Sequence, residues 1–220
     1  MNLVIVESPA KAKTINKYLG SDYIVLASYG HVRDLPSKNG SVDTEHDFKM
    51  IWEIDPGSKK HLKEITDYAI DADRIILATD PDREGEAIAW HLKCILEENK
   101  KIKDKKFERV VFNEITKKAV DNGISNPRDI NPELVNAYMA RRALDYLVGF
   151  NISPILWTKL PGSKSAGRVQ SVALRIIVDR EHDIELFKPQ EYWTFACTFL
   201  TQQKKELNAR LYSFKGNKIE

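Results

Sequence analysis

Residues 74–86 read RIILATDPDREGE, and this stretch indicates how the chain folds. The apolar run 74–79 predicts a buried strand, and a helix is expected to begin directly afterwards. Asp80, Asp82 and Glu84 occupy alternate positions at the junction. Alternate side chains of an extended segment project from one side, so this spacing can direct two or three carboxylates to one point.

Crowded carboxylates repel one another, and a hard divalent cation with oxygen ligands is the usual remedy. The three acids therefore predict a Mg²⁺ site at the carboxyl end of a central strand. The alternative is a solvated loop in which Asp82 is only the N-cap of the following helix. Both interpretations stay open on this stretch alone.

The N-terminus predicts a second part of the same site. Leu3–Val6 indicates another buried strand, and Glu7 follows it. Ser8 is a plausible N-cap, and the helix it begins carries Lys11 in its first turn. A helix N-terminus and a lysine both attract phosphate, so this junction predicts a phosphate site with an acid beside it. The alternative is that Glu7 only has a favourable charge near a helix N-terminus.

Strands alternate with helices in the first half of the chain, which favours a mostly parallel α/β sheet with its sites at the carboxyl ends of the strands. The predicted strands are 3–7, 23–28, 74–79 and 108–112, and the predicted helices are about 9–19, 57–72, 84–99 and 116–123. Farther on we expect helices over about 131–148, ended by Gly149, over 153–159 and over 167–186, then a hairpin of strands 192–200 and 206–214.

Composition excludes several classes of protein. The chain is 42% hydrophobic and 30% charged, which is typical of a globular protein. No apolar stretch approaches the roughly 20 residues of a membrane-spanning helix. The two cysteines are far apart, which argues against a zinc site in this chain. Residues 146–178 contain no carboxylate but several cations, which suits a polyanion passing along them.

Several separated blocks together resemble one family. The blocks are Val4–Thr14, Gly30–His31, Ala78–His91, Val111–Thr116, Ala140–Asp145 and Ser165–Ala173. In this order they resemble the Toprim domain and the following segments of bacterial DNA topoisomerase I, a type IA enzyme. An acidic triad alone would also suit Toprim nucleases or primase-like polymerases, but the later blocks would not.

The resemblance implies a domain organisation. Residues 1–123 are expected to form a Rossmann-like Toprim domain whose insertion, about 34–56, packs against another domain. Residues 124–187 are expected to form a helical segment that lines a groove for single-stranded DNA, and 188–220 the first strands of an incomplete β arch domain.

The resemblance also implies an activity: relaxation of negatively supercoiled DNA without ATP, by Mg²⁺-dependent cleavage of one strand, strand passage and religation. Glu7 and Lys11 would be catalytic, Glu7 as general acid and Lys11 as the cation that offsets charge on the phosphate. The metal ligands would be Glu7, Asp80, Asp82 and Glu84. Arg83 and Glu86 would support the site or form a structural ion pair.

Twelve positions match residues that contact DNA in the family. They are His31, Arg141, Arg142, Asp145, Phe150, Trp157, Ser165, Ala166, Gly167, Arg168, Val169 and Gln170. From the residues alone, the arginines could form surface ion pairs, Phe150 and Trp157 could belong to a core, and His31 could be structural. Tyr146 departs from the family pattern, which often has a basic residue there, and could replace a phosphate contact with a stacking or hydroxyl contact.

Type IA chemistry also needs a nucleophilic tyrosine in a Tyr-x-Arg-Thr-like context. None of the eight tyrosines has that context, so we expect this chain to be an amino-terminal fragment that cannot cleave DNA alone. Expected partners are DNA and Mg²⁺, without a membrane, for a monomer in the cytoplasm that associates with the nucleoid. A non-catalytic nucleic-acid-binding module is the alternative from another class.

Overall fold

The computed structural model describes residues 1–218, so the last two residues of the predicted arch segment lie outside it. The chain divides into two compact units, Met1–Gln170 and Ser171–Glu220. Among the described residues, no helix combines the length and the apolar character needed to cross a membrane.

The elements alternate as expected in the first half of the chain. The strands are β1 (Asn2–Val6), β2 (Tyr23–Ala27), β3 (Arg33–Asp34), β4 (Val42–Asp43), β5 (Lys49–Met50), β6 (Glu53–Ile54), β7 (Arg74–Leu77), β8 (Lys106–Arg109), β9 (Ala196–Leu200), β10 (Glu206–Arg210), β11 (Ser213–Phe214) and β12 (Asn217–Lys218). The helices are α1 (Pro9–Tyr18), α2 (Lys59–Asp71), α3 (Arg83–Glu97), α4 (Lys117–Ser125), α5 (Pro132–Lys159) and α6 (Arg168–Leu186).

The central sheet has four parallel strands in the order β2-β1-β7-β8, which confirms the predicted fold class. In the register of the two middle strands, Ile5 pairs with Leu77. The carboxyl ends of β1 and β7 are therefore level. The residues that follow them, Glu7 on one strand and Asp80 on the other, leave the sheet at the same edge.

Both faces of the sheet are buried because its strands are apolar at successive positions. Leu3, Ile5, Ile75 and Leu77 pack on one face against apolar residues of α2 and α3. The alternate residues of the same strands pack on the other face against Ile15 of α1 and Val120 of α4. This alternation is the period-2 geometry of a strand, and it places helices on both sides of the sheet.

The segment predicted as an insertion forms two small antiparallel pairs. Strand β3 pairs with β6, and β4 pairs with β5 inside that loop. Leu35 and Val42 of this segment are buried against Ala143 and Tyr146 of α5. The insertion therefore packs on the long helix of its own unit.

The prediction of two helices over 131–159 is wrong, because α5 runs unbroken through Gly149 and Pro154. Tertiary contacts hold both halves in one line. Tyr146, in the first half, bonds to the insertion, whereas Ser153, in the second, accepts a hydrogen bond of 3.1 Å from the Ala166 backbone N–H. Packing along the helix outweighs the local cost of Gly149, about 1 kcal/mol, and the larger cost of Pro154, about 3 kcal/mol.

The second unit contains most of α6 and two antiparallel pairs, β9 with β10 and β11 with β12. The predicted helix over 167–186 and the hairpin are both confirmed, although the strands are shorter than expected.

Candidate metal and phosphate site with an adjoining groove

Three charged side chains meet at the carboxyl edge of the sheet. The Lys11 ammonium donates a hydrogen bond to Glu7 Oε1 and another, 2.5 Å long, to Asp80 Oδ1. The backbone N–H of Asp80 donates to Glu7 Oε2 at 3.2 Å. The two strand ends thus place one carboxylate each around a single cation, and this cluster is called the Glu7–Lys11–Asp80 site below.

Local sequence explains why Lys11 reaches this point. The side chain of Ser8 caps α1 by accepting from the Lys11 backbone N–H at 3.3 Å, and Pro9 lies in the first turn. Glu7 and Lys11 are four residues apart, a spacing at which side chains meet across a helix terminus. The predicted arrangement of an acid and a lysine at a helix N-terminus is therefore present.

The charges in this site stabilise one another. Burial alone would lower the pKa of Lys11, but hydrogen bonds to Asp80 and Glu7 outweigh it, so that pKa is raised. Burial would raise the pKa of Asp80, yet the hydrogen bond from Lys11 holds it below its usual value. The lysine is therefore an ammonium and the aspartate a carboxylate near neutral pH.

The other two acids of the motif have different partners. Asp82 Oδ1 accepts from the Gly85 backbone N–H at 2.8 Å, which makes Asp82 the N-cap of α3, as the alternative interpretation of the motif expected. Glu84 Oε1 lies 3.0 Å from His31 Nε2. Within residues 1–218, no group of three or more His, Cys, Asp or Glu side chains is arranged to hold a metal ion.

The donors of the Glu7–Lys11–Asp80 site nevertheless fit Mg²⁺. This cation is commonly bound through one or two carboxylates, with waters and substrate phosphates completing its coordination. Two carboxylates from adjacent strands already share one positive charge, the Lys11 ammonium, which stands where a cation is favourable. The residues that could hold the metal are therefore Glu7 and Asp80, with Asp82 and Glu84 next to them in sequence.

The loop of the motif is held by a close approach of α3 that the sequence did not predict. A Cβ on Gly85 would collide with the backbone carbonyl oxygen of Asp80 and lie 2.7 Å from its nitrogen. The Thr79 hydroxyl donates to the Gly85 carbonyl oxygen at 2.6 Å. Only glycine allows the helix to begin this close to the acidic loop.

A buried ion network behind the loop was only partly anticipated. Glu86, fully buried, accepts from Arg109 at 3.1 Å and from Arg128 at 2.8 Å. It also accepts a 2.6 Å hydrogen bond from the Asn131 backbone N–H at the start of α5. These contacts favour the ion-pair interpretation of Glu86. Burial would raise the pKa of Glu86, but the hydrogen bond from Arg128 outweighs this effect, so that pKa is lowered.

Arg109 extends this network to the acidic loop. Its guanidinium donates to the carbonyl oxygens of Leu77, Thr79 and Asp80 at 3.0, 2.8 and 2.6 Å. The sequence did not mark this residue, because β8 is a short strand with three charged side chains and nothing in it shows that Arg109 is buried. Once buried, the charge requires these partners.

A groove lies between the insertion and α5. It encloses a cavity of about 400 Å³. Its lining includes Arg142, Asp145, Phe150, Trp157, Ser165 and Ala166 from the predicted DNA-contacting set. His31 lies between α5 and the acidic motif, since its Nδ1 is 3.4 Å from the Tyr138 hydroxyl of α5 and its Nε2 is 3.0 Å from Glu84 Oε1.

The three arginines of the predicted DNA-contacting set are paired with carboxylates. Arg142 donates to both oxygens of Asp34, at 2.6 and 2.8 Å. Arg168 donates to both oxygens of Asp145, at 2.8 and 3.1 Å, and Arg141 Nε lies 3.7 Å from the same carboxylate. The Arg142 and Arg168 pairs are forked, the geometry in which a guanidinium group binds a carboxylate or a phosphate.

Four of the aromatic and small residues of the predicted set line the groove: Phe150, Trp157, Ser165 and Ala166. The Phe150 ring stacks on Tyr146 at 4.3 Å, and Trp157 Nε1 donates to the Lys164 carbonyl oxygen at 2.6 Å. Trp157 is more than half exposed, so it is not a core residue. Gln170 Nε2 lies 3.5 Å from Ser165 Oγ, and the Val169 side chain at the start of α6 is exposed.

Tyr146 has a structural role rather than an exposed contact surface. Its hydroxyl donates to the Lys38 carbonyl oxygen and accepts from the Ser41 backbone N–H at 3.1 Å. The side chain is 6% exposed. The hydroxyl that could have contacted DNA is therefore used to attach the insertion to α5.

Two family models match this chain. A model described as Toprim domain matches residues 2–115, and one described as DNA topoisomerase matches residues 129–219. Together they cover both the acidic site and the groove.

Proteins with sequences similar to this chain are also described as topoisomerases. The chain is 58% identical over 220 residues to DNA topoisomerase 1 of Zymomonas mobilis and covers 18% of that protein. It is 55% identical over 221 residues to DNA topoisomerase 1 of Rickettsia bellii and covers 28% of it. The solved structure of full-length topoisomerase I from Thermotoga maritima is 39% identical with a TM-score of 0.71, over 99% of this chain and 36% of that one. The chain thus spans between about a fifth and a third of the length of these proteins.

Proposed function

This chain belongs to the Toprim family, within the bacterial type IA DNA topoisomerases, and from that premise we propose that it forms the metal- and phosphate-binding half of an enzyme that relaxes negatively supercoiled DNA. The reaction cleaves one strand, passes the other through the break and reseals it, without ATP. The observation that supports this most strongly is the meeting of Glu7 and Asp80 around one cation.

Glu7 and Lys11 act on the scissile phosphate. The tyrosine hydroxyl loses its proton to solvent and its oxygen attacks phosphorus while the bond to the 3′ oxygen breaks. Glu7, which has first taken up a proton from solvent, delivers that proton to the departing oxygen and becomes a carboxylate. Religation reverses these transfers, so Glu7 then accepts the proton. The Lys11 ammonium, at the N-terminus of α1, offsets charge that builds on the phosphate oxygens.

The nucleophile is supplied by a part of the enzyme beyond this chain. Tyr138 lies beside His31, but burial raises the pKa of its hydroxyl to about 12, and a hydroxyl that ionises with such difficulty is a poor nucleophile. We assign to Tyr138 the positioning of His31 instead.

When bound, Mg²⁺ would supply positive charge beside the phosphate. Glu7 and Asp80 would hold it, and Asp82 and Glu84 would contribute to its surroundings. Arg109 and Glu86 keep the acidic loop in place from behind, through the carbonyl oxygens and the buried ion pairs described above.

The groove binds an unpaired segment of the DNA. Arg141, Arg142 and Arg168 contact phosphates, and Asp145 orients two of them. Phe150 and Trp157 offer aromatic faces to bases, each such stack being worth about 1–3 kcal/mol. His31 and residues 165–170 complete the path. Such an enzyme works as a monomer in the cytoplasm, where the bacterial chromosome lies.

Calorimetry of Mg²⁺ binding tests this proposal. The chain is titrated with MgCl₂ alone and in the presence of a single-stranded oligonucleotide, and is compared with an Asp80→Asn, Asp82→Asn double variant. We expect the double variant to lose at least about tenfold in affinity, because the carboxylate oxygens are the ligands. Asp67→Asn, an exposed aspartate in α2, is the matched control.

The metal assignment would be contradicted if the double variant bound Mg²⁺ as tightly as wild type. It would also be contradicted if wild type bound no Mg²⁺, whether DNA is present or not. If wild type bound no Mg²⁺ and the double variant kept full affinity for single-stranded DNA, the chain would be a non-catalytic binding module instead.

A further inference from the structure

Lys11 has a position that the proposed chemistry does not by itself explain. Its ammonium bonds to Glu7 and Asp80 simultaneously, and its side chain is only 20% exposed. A lysine that served only a phosphate would be expected to extend toward solvent, where the phosphate arrives. Lys11 instead lies between the two carboxylates that the metal requires.

The acids depend on a cation in this position. The carboxylates of Glu7 and Asp80 are close enough to contact the same nitrogen, so without a positive charge between them they repel. The Lys11 ammonium, which contacts both carboxylates, meets this need. A divalent cation bound by both carboxylates would have to occupy the same space.

Lys11 can move without any change of the backbone. Its charge sits at the end of a flexible four-carbon stem with freely rotating donors. Its own backbone N–H is fixed to the Ser8 cap in the first turn of α1. A phosphate bound at that helix N-terminus would lie near Lys11 and attract its ammonium away from the acids.

We infer that Lys11 is a resident counter-ion that occupies the divalent-cation position of the DNA-free protein and leaves it for a DNA phosphate. This inference rests on the proposed function and adds to it the order in which DNA and the metal bind. DNA binding moves Lys11, the carboxylate pair is released, and the pair then takes a divalent cation. Lys11 therefore sets the affinity of the site for metal and makes that affinity depend on DNA.

Linkage gives this idea a measurable form. If DNA raises the affinity for Mg²⁺ by some factor, Mg²⁺ raises the affinity for DNA by the same factor. Such coupling typically lies between 5-fold and 150-fold. Without the lysine, the site should bind metal well in the absence of DNA, and most of the coupling should vanish.

The test is a calorimetric cycle on the whole chain with three variants. MgCl₂ is titrated into wild type, Lys11→Met and Lys11→Arg, each with and without a single-stranded oligothymidylate. We expect Lys11→Met to bind Mg²⁺ at least about tenfold more tightly than wild type without DNA, and to show less than about threefold coupling. Lys11→Arg keeps the charge and should retain weak DNA-free binding. Lys13→Met, which removes an exposed lysine of the same helix, should match wild type.

Equal Mg²⁺ affinity in wild type and Lys11→Met, with coupling unchanged, overturns the inference and leaves the proposed function standing. Absence of Mg²⁺ binding from every protein, with DNA or without, overturns both. Far-ultraviolet circular dichroism of each variant confirms the fold, and Lys11→Gln serves in place of Lys11→Met should that variant fail to fold.

Discussion

The backbone N–H of Asp80 donates a hydrogen bond of 3.2 Å to the carboxylate of Glu7, 73 residues away in the sequence. This bond joins the residues that follow the two central strands of the sheet. Adjacent parallel strands β1 and β7 end level with each other, so their following residues necessarily become neighbours. The acidic site is therefore a consequence of the strand order.

Gly85→Ala should disturb this edge of the sheet. The added Cβ collides with the backbone of Asp80, and backbone cannot swing aside as a side chain can. We expect the free energy of unfolding to fall by about 1–3 kcal/mol, as for other overpacked sites. Urea denaturation measures the change.

Gly20→Ala is the matched control, because nothing lies within 4 Å of a Cβ placed there. It should change stability by no more than about 0.5 kcal/mol. Equal stability of the two variants would show that α3 can shift away from the acidic loop without cost.

Asp34 should compete with DNA for Arg142. The forked pair lowers the pKa of Asp34 despite burial, so the carboxylate is charged at neutral pH and holds the guanidinium. Asp34→Asn should raise the affinity for a single-stranded oligonucleotide roughly threefold to tenfold, because one competing charge is removed. Fluorescence anisotropy at several salt concentrations gives the affinities.

Arg142→Ala should act in the opposite direction. We expect a loss of about tenfold and a decrease of about 0.7 in the slope of log K against log salt, the value for one contact to a single-stranded phosphate. Arg210→Ala, at an exposed position of β10, is the control. An Arg142→Ala variant with an unchanged slope would exclude Arg142 from phosphate binding.

His91 should make stability depend on pH. Burial, followed by the charge of Arg33, lowers its pKa to about 3, whereas an unfolded histidine titrates near 6.5. Between these values the unfolded chain binds the proton and the folded chain does not. The contribution of His91 to stability is therefore complete above about pH 6.5 and is lost as the pH falls toward 3, by about 1.4 kcal/mol per pH unit.

Replacement of His91 measures this effect against the background of the carboxylates. Between pH 7 and pH 5, wild type should lose about 2 kcal/mol more than His91→Gln in urea denaturation. His182→Gln, at an exposed position of α6, should follow wild type. Parallel pH profiles for wild type and His91→Gln would mean that the buried ring is protonated in the folded chain.

Tyr146→Phe should loosen the insertion. The variant leaves the Ser41 N–H without its acceptor and removes the donor to the Lys38 carbonyl oxygen. An unsatisfied buried polar group costs about 1–3 kcal/mol. Amide hydrogen exchange should therefore accelerate at Ser41, whereas Tyr68→Phe, on the exposed side of α2, should have no such effect. Unchanged exchange would show that packing alone holds the insertion.

The sequence by itself determined the parallel sheet, its flanking helices and the closeness of Glu7 to the acidic motif. These features depend on periodicity and on strand ends, which are local properties. The N-cap role of Asp82 could also be predicted from the sequence, since it depends on residues within one turn of α3.

Only the tertiary structure decided which charges are partners. Lys11 could have faced solvent, and Arg109 and Arg128 had no visible partner until Glu86, 23 and 42 residues away, was buried between them. The use of the Tyr146 hydroxyl likewise depends on the insertion about 100 residues earlier. The unbroken course of α5 depends on that contact and on the contact of Ser153 with Ala166. Local preferences are worth about 1 kcal/mol at most of these positions and about 3 kcal/mol at Pro154. Leaving buried hydrogen-bonding groups unpaired costs about 1–3 kcal/mol each and breaking a buried ion pair about 3–5 kcal/mol, so several such contacts together decide the outcome.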